Sequence, residues 1–316
     1  MKSFAFVFPG QGSQAVGMLD GWGDHPAVAS TLAEASDALG EDLGQLIKAG
    51  TKESLAMTTN TQPVMLVAGI AAYRAWLAEG GEPPSVLAGH SLGEYSALVA
   101  AGVLTLAQAA PLVRFRAQAM QDAVPAGTGA MAAILGLEAQ RVIEGCCDAM
   151  RSFGVGTSEV VEAVNFNDPG QTVIAGSKAA VEKACELLKA GGAKRALLLP
   201  VSAPFHSSLM KPAADKLRER LSETAFAAPR IPVINNIEVR EETDADRIRA
   251  ALYEQAFGPV RWVECVRAIK ARGITTIVEC GPGKVLAGLC KRIDPELTGL
   301  ALLDSASLAE AKGQLA

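Results

Sequence analysis

The sequence predicts an α/β protein in which a small domain is inserted into a larger one, on three observations. Short apolar strand-like runs alternate with helical periodicity through most of the chain. One such run, Val86-Leu-Ala, breaks at Gly89-His-Ser-Leu-Gly93 and passes straight into a helix-forming segment. Residues 129–201 then change to the order β-α-β-β-α-β, the split unit of ferredoxin-like domains. At 316 residues the chain also exceeds the usual single-core size, so a large domain carrying a smaller one is expected.

Taken in order, Ser3 to Phe8 reads as a first strand, ending at the glycine-rich loop Pro9-Gly-Gln-Gly-Ser-Gln14. That loop lacks the Lys-Ser/Thr of a Walker motif and the G-x-G-x-x-G spacing, so its use is to aim a backbone amide rather than to cradle phosphate. Apolar residues recur at helical spacing in Pro26 to Gly40 and Gln62 to Gly80, each run closed by glycine. Strand, turn and helix follow over Val86 to Gly102. Thr105-x-x-Gln108 has the form of a capping box opening a helix to about Ala123, in which Pro111 predicts a kink or a displaced start. Within 129–201 the strands are Ala130 to Leu135, Val160 to Asn165, Thr172 to Ala175 and Ala196 to Leu199. The helices are Glu138 to Met150 and Lys178 to Lys189, with a loop over Arg151 to Glu159. Helices over Ser207 to Thr224, Ala245 to Ala256 and Val263 to Ala271 then alternate with strands Pro232 to Ile237 and Ile274 to Val278. Gly281-Pro-Gly283 reads as a packing turn before a helix over Lys284 to Ile293.

Composition narrows the class. Hydrophobic residues make up 49% and charged residues 20%, ordinary for a globular enzyme and incompatible with long disorder. The net charge of −5, without a basic cluster, argues against a nucleic-acid partner. Residues 1–14 contain one lysine and an apolar run of only Phe4 to Phe8, too short for a signal peptide or a membrane span. The longest apolar stretches, 63–77 and 97–113, contain Arg74, Gln108 and Pro111 and read as buried helices, so the expected location is cytoplasmic. Six cysteines without C-x-x-C spacing and three scattered histidines predict buried thiols rather than a metal site or a disulfide framework.

The serine has a mechanical rationale. A residue at a sharp strand-to-helix turn is strained, and flanking glycines let strand and helix approach. The Leu92 amide then lies at a helix start, where free donors and the helix dipole suit an oxyanion. The pentapeptide alone also fits a plain structural turn. A nucleophile needs a base, and of His25, His90 and His206 the last is reached by elimination: His90 adjoins Ser91 and His25 sits in a loop. A surface or core-satisfied histidine is the other reading of His206. Arg114 and Arg116 lie about 200° apart on a helix, so only one can face a cleft. Taken alone, Arg116 also reads as a solvated helix residue.

Phe8-Pro-Gly-Gln-Gly-Ser-Gln14, Gly89-His-Ser-Leu-Gly-Glu-Tyr-Ser96, Arg116-x-x-x-Met120, Asn165-x-Asn-x-Pro-Gly-Gln171, Ser202-Ala-Pro-Phe-His206 and Glu279-x-Gly-Pro-Gly-Lys284 occur in that order. Together they resemble the motifs of malonyl-CoA:acyl-carrier-protein transacylases. The resemblance implies an α/β-hydrolase-like large domain, 1–128 with 202–316, carrying a ferredoxin-like insertion at 129–201. It implies Ser91 as acyl-accepting nucleophile, His206 as general base oriented by the main-chain carbonyl of Arg261, and the Gln11 and Leu92 amides as oxyanion donors. Arg116 is implied to hold the free carboxylate of malonate, which its planar fork suits better than a lysine would. Lys194 and Arg195 match basic residues implicated in carrier or CoA binding, and also read as an ordinary solvated pair. The implied partners are malonyl-CoA and acyl carrier protein, with no membrane, no metal and no cofactor, and a monomer exchanging acyl groups by a ping-pong route. A stand-alone length favours a discrete enzyme of fatty-acid synthesis. Two rivals share the features: a serine hydrolase or thioesterase, with Asp122, Asp148 or Asp168 as third member, and a non-catalytic carrier-binding module of the same fold.

Overall fold

Phe4–Phe8 is buried on both faces, as a central strand of a parallel sheet requires. It forms β1 in a computed structural model that describes residues 3–125, 127–154, 156–201 and 203–315. Met1, Lys2, Ala126, Val155 of the expected loop, Ser202 at the head of the Ser202–His206 motif and Ala316 lie outside the described residues. After β1 come α1 (Pro26–Leu39), α2 (Leu43–Ala49), α3 (Lys52–Ala56), α4 (Thr58–Ala78), β2 (Val86–Gly89), α5 (Gly93–Ala100) and α6 (Leu106–Gln121). Then follow β3 (Gly129–Leu135), α7 (Ala139–Ser152), β4 (Val161–Asp168), β5 (Gln171–Ser177), α8 (Lys178–Ala190) and β6 (Arg195–Leu198). The remainder holds α9 (Lys211–Glu223), β7 (Val233–Ile234), α10 (Ala245–Gln255), α11 (Trp262–Ala271), β8 (Thr276–Cys280), α12 (Val285–Ile293), β9 (Thr298–Leu302) and α13 (Ser305–Leu315).

One sheet has five strands in the order β7-β2-β1-β8-β9, with its neighbours parallel. Parallel neighbours need crossovers, and the helices that supply them cover both faces. Phe4, Phe6 and Phe8 point to the side of α4, where the rings of Tyr73 and Trp76 meet them edge-on. Ala5 and Val7 point the other way, into a cluster with Val266 and Ile269 of α11 and Leu286 and Leu289 of α12. Thr61 through Tyr73 of α4 are all buried, which explains a helix that is apolar all round.

The second sheet has four strands in the order β4-β5-β3-β6, all neighbours antiparallel. With α7 and α8 packed on one face through Val142, Cys146, Val181 and Ala184, it has the ferredoxin-like arrangement expected from the sequence. Its other face, with Met131, Ala133 and Val173, meets Met120 of α6 and Phe205. Phe166 N donates to Val260 O and Val260 N to Val164 O, tying β4 to the segment before α11. The two sheets thereby bracket the ground above Gly89.

Several elements differ from expectation. α6 runs unbroken across Pro111, with no displaced start. The Thr105–Gln108 capping box fixes its first turn, and buried Ala109, Ala110, Leu112 and Val113 hold it in place around the proline. α4 likewise starts before Gln62 and contains Pro63. β7 pairs over only two residues rather than Pro232 to Ile237, because Asn235 and Asn236 turn out of the ladder to make side-chain bonds. The short α2 and α3, and β9 and α13, have no counterpart in the sequence reading. Among the described residues no helix is long and apolar enough to cross a membrane, and no three His, Cys, Asp or Glu side chains gather as a metal site would need.

Gly89 and Gly93 are where strand and helix touch. A Cβ on Gly93 would stand 2.0 Å from the Phe8 carbonyl oxygen, and one on Gly89 would stand 1.9 Å from the Gly93 carbonyl carbon. Both contacts are with backbone, which cannot swing aside. Gly93→Ala is therefore expected to destabilise the protein by at least about 2 kcal/mol, read as a lower urea midpoint; an unchanged midpoint would contradict this packing.

Candidate active site

Ser91 occupies the turn with φ of 54°, a left-handed conformation that costs a non-glycine residue roughly 1–3 kcal/mol unless its surroundings enforce it. Asn236, fully buried where the chain leaves β7, does the enforcing. Its Oδ1 accepts from Ser91 N–H at 2.8 Å, its Nδ2 donates to Gly89 O at 2.7 Å, and its own N–H donates to Glu94 Oε2 at 2.9 Å. Both sides of the serine are thus pinned, and the hydroxyl stands out from the sheet.

Ser91 Oγ lies 2.7 Å from His206 Nε2, bridging 115 positions of sequence. His206 also has positive φ, 66°, and its Nδ1 lies 2.9 Å from the carbonyl oxygen of Gln255. A carbonyl can only accept, so Nδ1 carries the proton and Nε2 presents its lone pair to the serine. Burial, and next the neighbouring Arg116 charge, push the His206 pKa down to about 3, so the ring is neutral at ordinary pH. The expectation that the Arg261 carbonyl orients the histidine is corrected here. Gln255 is the last residue of α10, where carbonyls lack intrahelical partners, whereas Arg261 O accepts Cys265 N in the first turn of α11.

Arg116 is only 2% exposed, which removes the solvated-helix reading, while Arg114 turns outward to an ion pair with Glu41. Arg116 Nη1 donates to Gln62 Oε1 at 2.7 Å, and Nη2 donates to Gln255 Oε1 at 3.1 Å and to Ser91 Oγ at 3.3 Å. Its guanidinium lies over the Tyr95 ring, 5.4 Å from the centroid. Among the described residues it forms no ion pair. Gln255, fully buried, ties the centre together: Nε2 donates to Ser91 O at 3.0 Å and to Glu94 Oε2 at 3.1 Å. Burial raises the Glu94 pKa to about 7, against the pull of the Gln255 and Asn236 donors and of Arg116.

Ser91, His206, Arg116 and Gln62 line a cavity of about 120 Å³ with Gln11, Leu92, Met120, Met131 and Phe205. It shares Gln11, His90, Asn165, Leu199 and Val201 with an outer cleft of about 620 Å³ that opens past Val285, Leu289 and Arg292. Neither the Gln11 nor the Leu92 amide is taken by an acceptor among the described residues. The cavity therefore offers an activated hydroxyl, a neutral base, two donors and a buried cation around one small volume.

The other candidates fall elsewhere. His90 turns to Asn167 Oδ1 at 2.9 Å, and His25 caps α1 through Ala27 N. Asp122 accepts from Gln118, while Asp148 pairs with Arg151 and Asp168 with Arg292, so none reaches His206. Lys194 and Arg195 are exposed at the start of edge strand β6 and do not line the cleft. Gly283, at φ of 89°, packs a turn against Ser13. Gln62, Glu94, Asn236 and Gln255 are site residues that the sequence reading missed. Their signal was polarity in the wrong place: Gln62 and Glu94 interrupt apolar helices, and Asn236 closes an apolar strand.

Comparison with known proteins gives concordant matches. Residues 5–293 match the family described as acyl transferase domain. The malonyl CoA-acyl carrier protein transacylase of Escherichia coli K12 is 53% identical over 312 residues, covering 98% of this chain and 99% of that protein. The crystal structure of an acyl-carrier-protein S-malonyltransferase from Burkholderia pseudomallei superposes with a TM-score of 0.95 at 61% identity, covering 98% of this chain and 99% of that one. A malonyl-transacylase solved in complex with its type II PKS acyl-carrier protein gives 0.95 at 50% identity, covering 99% and 100%.

A base held neutral down to about pH 3 should keep Ser91 reactive well into acid. Inactivation of the free protein by a phosphonyl fluoride is expected to keep its rate between about pH 5.5 and about pH 4.5, a window below the Glu94 pKa of about 7, because lowering pH protonates His206 only near its depressed value. A fall of about tenfold across that window, as an ordinary histidine base would give, would contradict this environment.

Proposed function

The chain belongs to the malonyl-CoA:acyl-carrier-protein transacylase family, and on that premise we propose that it moves malonyl from malonyl-CoA to the phosphopantetheine thiol of an acyl carrier protein through a malonyl ester of Ser91. The observation that carries the reading is Arg116: a guanidinium 2% exposed, with no carboxylate paired to it among the described residues and Nη2 at 3.3 Å from Ser91 Oγ. A buried cation of that kind calls for an anion from the substrate. Malonate supplies one, two carbons from the carbon under attack.

In the first half-reaction His206 Nε2 takes the Ser91 proton as Oγ bonds to the thioester carbon, and the carbonyl electrons move onto oxygen. The Gln11 and Leu92 amides receive that charge. Collapse breaks the C–S bond, and the CoA sulfur leaves with the proton from His206. The carrier thiol then runs the same steps in reverse, freeing Ser91. Proton and acyl transfer suffice, so the scheme calls on no metal, nucleotide or redox group. Arg116 holds the malonyl carboxylate throughout, which orients the thioester and disfavours acetyl groups that leave the cation unanswered.

The same reading assigns 1–128 and 202–316 to the catalytic domain and 129–201 to the insertion, in line with the split between the two sheets. It places Lys194 and Arg195 on the surface met by an acidic carrier, and the protein as a cytoplasmic monomer serving fatty-acid synthesis, acting at neither membrane nor nucleic acid. The hydrolase alternative finds no support, since among the described residues no carboxylate stands behind His206 and its Nδ1 is held by a main-chain oxygen.

Ser91→Ala is expected to abolish malonyl-enzyme formation as read by intact mass after incubation with malonyl-CoA; labelling at the wild-type level would remove Ser91 from the scheme. Arg116→Ala should lower kcat/KM for malonyl-CoA by roughly a hundredfold while acetyl-CoA loses far less. An unchanged malonyl-to-acetyl ratio would leave Arg116 a purely structural role.

A further inference from the structure

Glu94 is a buried carboxylate that the proposed reaction does not use. It sits on the first turn of α5, 2% exposed, and contacts neither the serine hydroxyl nor the histidine. What it does contact is Gln255, whose carboxamide spans the distance to Arg116: Arg116 Nη2 donates to Oε1 at 3.1 Å, and Nε2 donates to Glu94 Oε2 at 3.1 Å. The chemistry fixes that orientation, because a guanidinium only donates and a carboxylate accepts. We propose that Glu94 is a specificity-determining residue, an internal counter-charge held one carboxamide away from Arg116 so that the guanidinium is balanced yet left open for the substrate carboxylate.

The spacing is what matters. A carboxylate in direct contact would occupy the donors of Arg116 and compete with malonate inside the protein, as a bidentate pair does. No counter-charge at all would leave an uncompensated cation in a dry site, costly to fold and strong in its field on His206. Through the amide, Glu94 lowers that field without taking a substrate-facing donor. Its second partner, Asn236 N–H at 2.9 Å, anchors it to the residue that pins the Ser91 turn. This inference rests on the reading that Arg116 receives malonate.

Two consequences have definite sign. Glu94→Gln, which keeps the shape and an accepting oxygen but loses the charge, should make Arg116 a more demanding cation. Acetyl transfer then suffers from the stronger field on His206, malonyl transfer suffers less because its own carboxylate answers Arg116, and KM for malonyl-CoA falls. The paired change Glu94→Gln with Gln255→Glu keeps the same charge and the same set of polar groups, but moves the anion into contact with Arg116; the malonyl preference should then collapse.

The test measures kcat/KM for malonyl-CoA and acetyl-CoA at pH 8, above the raised Glu94 pKa of about 7, in the wild type, Arg116→Ala, Glu94→Gln and the paired variant. For Glu94→Gln the malonyl-to-acetyl ratio is expected to rise about threefold or more, and for the paired variant to fall about tenfold or more. A wild type with no malonyl preference would sink the reading of the site. A wild type with that preference, lost in Arg116→Ala but raised by less than about twofold in Glu94→Gln, would overturn the role of Glu94 alone, as would equal losses for both donors. Should Glu94→Gln not fold, the paired variant decides: a ratio kept within about twofold of wild type overturns the proposal.

Discussion

A guanidinium buried with no anion paired to it among the described residues is the constraint to which the rest of this site answers. Removing such a charge from water costs several kcal/mol, and the protein meets the cost with neutral acceptors. Gln62 from α4 and Gln255 from α10 take its N–H groups, the Tyr95 face lies beneath it, and the Glu94 charge is kept at one remove. Three helices and the serine turn are therefore oriented around one residue of α6. The same positive charge, added to burial, keeps His206 unprotonated, so the group suited to selecting the substrate also readies the base.

The second determinant is backbone strain held by the fold. Ser91 and His206 both sit at positive φ, and each is restrained from an element distant in sequence. Asn236 closes on both sides of Ser91, and the C-terminal carbonyl of α10 fixes the His206 ring. β7 is short because its continuation is spent on that restraint. Gly89 and Gly93 let α5 approach β1 and β2 closely, which puts Leu92 in the wall of the cavity. An arrangement of this kind is preorganised: its dipoles point at the reacting centre before substrate arrives.

Local physics made most of the fold legible. Buried runs such as Phe4–Phe8 and Val86–Gly89, the Thr105–Gln108 box and the β-α-β-β-α-β order of the insertion each carry their own signal in a few residues. What escaped was set by distant packing: α6 passes through Pro111 because buried neighbours and its cap hold it, and β9 is a short edge strand of half-buried residues. Of the site, Ser91, His206 and Arg116 were legible through motifs around them. Gln62, Glu94, Asn236 and Gln255 were not, because a buried amide or carboxylate announces only that it needs a partner, and the partner lies up to 164 positions away. The carbonyl behind His206 was misassigned to Arg261 for a related reason: any residue has a carbonyl, and only the end of α10 leaves one free at the right place.

The claim at the centre is that substrate charge completes Arg116. A crystal structure of the malonyl ester of Ser91 tests it most directly. The account predicts the free carboxylate paired to the Arg116 guanidinium and the ester carbonyl oxygen within hydrogen-bond distance of the Gln11 and Leu92 amides. A carboxylate directed into the outer cleft, with Arg116 bonded only to Gln62, Gln255 and Ser91 Oγ, would contradict it.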